Sequence, residues 1–376
     1  MGNYNIEFST EKNSPDWRLF RLGSNAYRQA GSITLTIFFF FFISTTNIWC
    51  QPMQVGIIDF YGPRSRSTDM ELKKCLPIKE NTTIQMDSIE SYFKNKEAIL
   101  DCFKLTQPKF KNIEVSFICC ADMAGKYIMY VGVDSTLKQN PERIKTNDIK
   151  LPSEIARVYD SLDNLIILAI QHGEFDDDWT NGHSLFAYLP LRKLQEKFIP
   201  YADANLNLLR EVLKTSKYAE QRAMAASVIA YHHNKAEIIN DLLEAVTDAD
   251  QNVRNNATRA IGIIAWYTQG KPDLKIEIPA DPFITMMNSI LWTDRNKGVS
   301  VLHVLSGNRD EKLLSKIKDK ALESLIDMAN WKSDGHSYMG YLTLGRIAGW
   351  KEEDLNFDSF KTNKSEMMKK MLSAIK

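Results

Sequence analysis

Apolar and polar residues alternate at period two in parts of the first third of the chain. From Pro152 onward apolar residues recur at helical spacing instead. The run QVGIIDFYG predicts a strand with Val55, Ile57 and Asp59 on one face, ending at Gly62. In TDMELKKCL, Thr68 and Glu71 have capping-box spacing, so a helix is expected to start there. A second helix is expected from Asp87 to Phe103, with Ile89, Tyr92, Phe93, Ile99 or Leu100, and Phe103 along one stripe. NIEVSFICC and YIMYVGV, separated by ADMAGK, read as a hairpin. The predicted order is β-α-α-β-β. Residues 134–151 are polar, contain Pro141 and are expected to be a linker.

Further on, the helical pattern repeats. When Arg222 is placed on Arg254, Ala225, Val228 and Ile229 fall on Ala257, Ala260 and Ile261. The preceding helices are expected to start at Leu208-Leu209 and Leu242-Leu243. LTLGRIAGW set against RAIGIIAWY places Gly345 on Gly262 and Ala348 on Ala265, and a weaker copy runs from FITMMNSIL to VSVLHVL. Two-helix units at this spacing predict an α-solenoid, in which each unit covers the apolar face its neighbour cannot bury alone. Asp248 and Asp250 suit the turn because their side chains accept backbone amides at a helix start. Ala257 and Ala260 are small enough for close helix approach. Upstream, Glu154 to Ile199 predicts a helix in IARVYDSLDNLIILAIQHG, an acidic loop, and a helix in LRKLQEKFI.

Composition narrows the role. Lys+Arg and Asp+Glu are both 47, a neutral balance that argues against a nucleic-acid groove built from clustered cations. Arg18, Arg21 and Arg28 precede ITLTIFFFFFI and then the polar STTNIWCQ, the layout of a secretory signal with Gln51 as the expected mature start. An uncleaved anchor using residues 33–49 is the alternative; both imply export to the periplasm or cell envelope. Reading the same run as a core helix would instead leave an intracellular protein. The five cysteines exclude a disulfide scaffold. Cys75 and Cys102 fall on neighbouring predicted helices, where an oxidising compartment allows a bridge; buried thiols are the other reading.

GIIDFYGPRSRSTDMELKKCLPIKENTTI, with the helix and hairpin after it, resembles a POTRA module, the small periplasmic docking domain. LLEAVTDADQNVRNNATRAIGII is similar to a HEAT repeat. Together they imply an α+β N-terminal domain (β-α-α-β-β) followed by an all-α HEAT-like solenoid: a signal or anchor over 1–50, a POTRA-like domain over 51–133, a linker over 134–151 and the solenoid over 152–376. The POTRA resemblance implies partner binding by strand addition to a sheet edge. The HEAT resemblance implies that Arg254 forms a ladder with the acidic turn of the next unit. The expected function is that of a non-enzymatic exported scaffold with a protein partner, no nucleic acid, no cofactor and membrane association only through the N-terminal segment.

Chemistry offers less. HGEFDDDWTNGHS contains Asp176, Asp178 and His183 as weak metal candidates, and a metal-dependent hydrolase using this loop is the alternative function. Its spacing departs from a calcium loop, with Asn181 and Ala187 where Gly and Glu are needed. A loop capping a helix near Ser184 is the plainer expectation. His232 and His233, placed at a helix end, are expected to diverge by about 100° and to chelate poorly together. With Asn255 and Asn256 they are candidates for partner contact. Asp250 and Arg254 look like a catalytic pair but read better, with Arg222, Ala257 and Ala260, as structural repeat residues.

Overall fold

The computed structural model describes residues 53–85, 89–119, 126–134, 145–172, 174 and 176–375. The expected leader, Cys50, Cys120 and residues 121–125 of the expected turn lie outside them. The N-terminal part is α+β. Strand β1 (Met53–Tyr61) leads through a short 3-10 turn to α1 (Asp69–Lys74), β2 (Thr83–Ile84), α2 (Ile89–Tyr92), α3 (Lys96–Thr106), β3 (Asn112–Cys119) and β4 (Lys126–Asp134). The sheet order is β2-β1-β4-β3, with β1 parallel to β4 and the other pairs antiparallel.

Three local expectations change. A register shift between Val55 and Ile57 inserts a bulge in β1, which sets Val55 in one core with Ile58 and Phe60 rather than with Ile57 and Asp59. The Thr68 hydroxyl donates to the Ser65 carbonyl and caps nothing, while Glu71 pairs with Lys74, so no capping box forms. The helix expected from Asp87 to Phe103 is two helices, because Asn95 leaves helical geometry and its side chain accepts the Ala98 amide, starting α3 afresh.

Cys75, at the end of α1, is disulfide-bonded to Cys102 in α3. The bridge closes a loop with a sequence separation of 27. Restricting the unfolded chain over such a loop is worth about 3 kcal/mol. A Cys75→Ser/Cys102→Ser chain should therefore lose about that much unfolding free energy, measured by chemical denaturation of both chains under oxidising conditions.

The helical part begins with α4 (Ser153–Asp160) and α5 (Leu162–Gln171), which break at Ser161 where a single helix was expected. A two-residue hairpin, β5 (Asp177–Asp178) and β6 (Leu185–Phe186), precedes α6 (Leu189–Ala204), so the helix expected near Ser184 starts later. Then follow α7 (Leu206–Thr215), α8 (Ala219–Ile229), α9 (Lys235–Ala245), α10 (Gln251–Tyr267), α11 (Asp281–Met287), α12 (Trp292–Leu305), α13 (Glu311–Ala329), α14 (Asp334–Ile347) and α15 (Phe357–Ile375). Helix α7 starts at Leu206, close to the expected Leu208-Leu209, but α9 starts at Lys235, well ahead of the expected Leu242-Leu243, which lie in its second half. Helices α8, α10, α12 and α14 pack on one another in succession, each also against the helix before it in sequence. Among the described residues no helix is long and apolar enough to cross a membrane.

Arginine recurs at the fourth position of three stacked helices: Arg222 in α8, Arg254 in α10 and Arg295 in α12. Each donates to a carbonyl six residues earlier: Ser216, Asp248 and Ser289, at 2.9, 2.7 and 2.6 Å. Arg222 also makes two bonds to Asp248, at 3.0 and 2.9 Å, and Arg254 two to Asp294, both at 3.0 Å. Arg295 approaches Asp327 at 3.8 Å. Arg254 thus pairs with the next unit as the ladder requires, but its acid, Asp294, is the third residue of α12 rather than part of a turn, and the third rung, Arg295, was missed because the sequence copy around it is weak.

The α+β part is not a separate bead. One sheet face, with Val55, Ile58, Phe60, Met129 and Val131, packs under α1 and α3. The other face contributes Tyr61, Ile128 and Tyr130 to the core of the helices. Tyr130 stacks on Trp292 and bonds His336 Nδ1 at 2.9 Å, and Tyr61 donates to the Ile290 carbonyl at 2.6 Å. Gly132 is required here, since a Cβ would lie 2.5 Å from that carbonyl. Linker residues also lie on the helices. The Ser216 hydroxyl donates to Ile149 O, the Leu151 amide to Gln221, and Lys145 pairs with Asp248.

Within the core, His303 is buried near Arg346; desolvation first, and that positive neighbour second, hold its imidazole well below the ordinary value of 6.5. The unfolded chain takes up a proton below about pH 6.5 that the folded chain refuses, so stability is present above that pH and drains as pH falls. The slope from this group is about 1.4 kcal/mol per pH unit. His303→Leu should flatten the dependence of the denaturation midpoint between pH 6.5 and 5.

Candidate functional site

The loop between α5 and α6 is built from its own polar residues. Asp177 accepts the Ser184 hydroxyl at 2.6 Å and Arg259 at 3.3 Å. Burial pushes its carboxyl up and Arg259 pulls it back. Asp178 accepts the Thr180 amide and hydroxyl at 3.0 and 2.8 Å and faces Arg192; against the upward pull of burial, these bonds hold it below the usual carboxylate value. The Asp176 carbonyl accepts the Ala187 amide at 2.7 Å, and His172 stacks on Tyr188. The acidic residues thus shape the hairpin. Asp176, Asp178 and His183 are not brought together as a ligand set.

The loop instead clamps the end of α8. Gly182 has φ +71°, and a Cβ there would lie 2.8 Å from Lys235 Cε. Tyr231 donates to the Ser184 carbonyl at 3.0 Å. Buried Lys235 donates to the Ala230 and His232 carbonyls, both at 2.7 Å, and meets His183 Nδ1 at 3.1 Å. All three ammonium hydrogens therefore have acceptors. Burial, reinforced by Lys235, lowers His183 to about 4, so the ring is neutral and accepts at Nδ1. Burial also lowers Lys235 to about 7, opposed by Asp203.

His232 and His233 lie beyond the last turn of α8, not on it. The expected divergence consequently fails, and their rings sit 4.6 Å apart. Asp203, in the last turn of α6, reaches both: its Oδ1 is 2.9 Å from His233 Nδ1, 3.8 Å from His232 Nε2, and accepts the His233 amide at 2.9 Å. Among the described residues this is the group of close-set ligand atoms, all within 4.8 Å of one another.

The other candidates serve the fold. Asp250 caps α10 through the Asn252 and Val253 amides, and Arg254 turns to Asp294, so the two are not a catalytic pair. Asn256 donates to Tyr159 OH and the Ala223 carbonyl, both at 2.9 Å, tying α10 to α4 and α8; Asn255 donates to Asn256. Ala257 and Ala260 are buried as expected. Sequence reading missed Asp203 and Lys235, although both carry a signal. An acid ends α6 and a base begins α9, each at the pole of the helix dipole that disfavours it. Such misplaced charges point to partners brought from elsewhere in the fold. No protein-family model matches the chain, and no curated protein matches it either.

Proposed function

We propose that this protein is a non-enzymatic scaffold exported to the periplasm or cell envelope, which binds a protein partner through a HEAT-like solenoid and a docked POTRA-like domain. The observation that carries the reading is the repeated arginine of α8, α10 and α12, each bonded to the carbonyl six residues before it and facing an acid of the following unit. Stacking units of this kind create extended surfaces for recognition rather than an enclosed cleft. The Cys75–Cys102 bridge supports export, because disulfides persist in oxidising compartments. Strand β3 ends the sheet order, so one of its edges is open to strand addition by a partner. Its platform is rigid, since the sheet face beside it is packed onto the helices.

Thiol trapping in intact cells, combined with photo-crosslinking from Ser116 in β3 and Glu323 in α13, tests this. Oxidised Cys75 and Cys102 in the envelope fraction, with a discrete protein adduct from one of the two positions, are expected. Reduced thiols in the cytosol, or no adduct from either position, would remove the proposal.

A further inference from the structure

The corner formed by the ends of α6 and α8 holds three side chains with the chemistry of a metal site. Two are imidazoles and one is a carboxylate. They come from segments that the chain brings together over about thirty residues, as the 30-residue spacing of Asp203 and His233 shows. We propose that Asp203 Oδ1, His232 Nε2 and His233 Nδ1 bind a divalent transition-metal ion of the zinc class, leaving one coordination position open to solvent or to a ligand from a partner.

Distances support the assignment. Tetrahedral zinc with bonds of about 2.0–2.1 Å sets its ligand atoms about 3.3–3.4 Å apart. The separations from Asp203 Oδ1 are 2.9 and 3.8 Å, which bracket that value, and the ligand atoms all lie within 4.8 Å of one another, so rotation of the side chains can close the set around one ion. Two nitrogen ligands favour zinc, nickel or copper over calcium and magnesium, which require oxygen.

The surroundings orient the ligands. Asp203 is fixed by the His233 backbone amide, leaving its carboxylate aimed at the two rings. His232 is almost fully buried, and its Nδ1 lies 3.3 Å from the Asn234 carbonyl. With the proton on Nδ1 and donated to that carbonyl, the Nε2 lone pair faces Asp203 and a metal, the arrangement that orients metal-bound histidines. The Asn234 amide, 3.2 Å from the same nitrogen, favours the other tautomer, so metal binding selects between two states already within reach. Both α6 and α8 end here, and their negative poles add to the attraction for a cation. His233 is exposed, with 72% of its side-chain surface accessible, which leaves room for a fourth ligand.

This inference stands apart from the scaffold reading, since a metal corner is compatible with any partner. Its test uses the tag-free intact chain, stripped with a chelator and titrated with Zn²⁺ against a chromophoric competitor. One equivalent should bind. Asp203→Asn and His233→Gln, both at partly exposed positions, should each weaken binding by at least about tenfold, a loss as large as even outer-shell changes produce at metal sites. His172→Gln, outside the cluster, should bind as the parent does. Substitution with Co²⁺ should give the visible absorption of a four-coordinate site. Absence of stoichiometric binding, or parental affinity in both ligand variants with folding confirmed by circular dichroism, would overturn the proposal.

Discussion

Arg254→Met is expected to lower the unfolding free energy by about 3–5 kcal/mol, the cost of leaving one member of a buried ion pair alone. Asp294 is 8% exposed at its side chain and would keep only the Ser289 hydroxyl at 2.9 Å. Arg254 also satisfies the Asp248 and Ala249 carbonyls, both at 2.7 Å, which would lose their donor. Adding Asp294→Leu should recover most of the loss, because a pair of apolar residues avoids the desolvation that the ion pair must overcome. Denaturant midpoints of the two single variants and the double variant measure this directly. A loss below about 1 kcal/mol for Arg254→Met would show that the rung does not hold the stack.

The same rung explains what sequence reading captured. Arg222 and Arg254 could be aligned because their neighbours Ala225 and Ala257, Val228 and Ala260, and Ile229 and Ile261 face the same kind of neighbouring helix, and packing restricts residue size at each position. The ladder was legible because an arginine followed an acidic turn. Arg295 escaped because α11 is short and the residues around the rung differ, with Trp292 where α8 has Ala219 and α10 has Gln251. That tryptophan serves a second contact, stacking on Tyr130 of the sheet. Where a repeat also docks the α+β domain, its sequence answers to two constraints, and the periodic signal fades.

Long-range pairings explain the rest. Helix starts and strand alternation are local, and errors there came from local competitors: the Asn95 cap, the β1 bulge and the Thr68–Ser65 bond. The candidate site depends instead on residues joined only by folding, such as Lys235 with His183 and Asp203 with His233. Periodicity carries no information about which helix end meets which loop. The loop's aspartates drew attention for their charge, yet hairpin bonds occupy Asp177 and Asp178. Helical geometry ends just before the histidine pair, so helical spacing does not govern how the two rings are placed.

The second large effect is expected at the seam. Asp327, at the end of α13, accepts the Gly62 amide at 2.9 Å and Arg64 at 3.1 Å, and lies 3.8 Å from Arg295. The side chains of Arg64 and Arg295 are 1% and 4% exposed. Asp327→Ala removes the carboxylate both cations face, leaving Arg64 with Asp69 and the Phe60 carbonyl, and Arg295 with the Tyr61 ring and Ser289 carbonyl. The expected cost is about 3–5 kcal/mol, concentrated on the contact between sheet and helices. Because the Cys75–Cys102 bridge and the core under α1 and α3 do not depend on Asp327, the α+β part should retain its own packing while releasing the helices. Calorimetry of the parent is expected to give one cooperative transition, and that of Asp327→Ala two. Trp292 and Trp331, both nearly inaccessible in the parent, should become quenchable by acrylamide at temperatures between those transitions. A single transition at an unchanged temperature would mean that the aromatic contacts of Tyr61 and Tyr130 hold the seam without the charge hub.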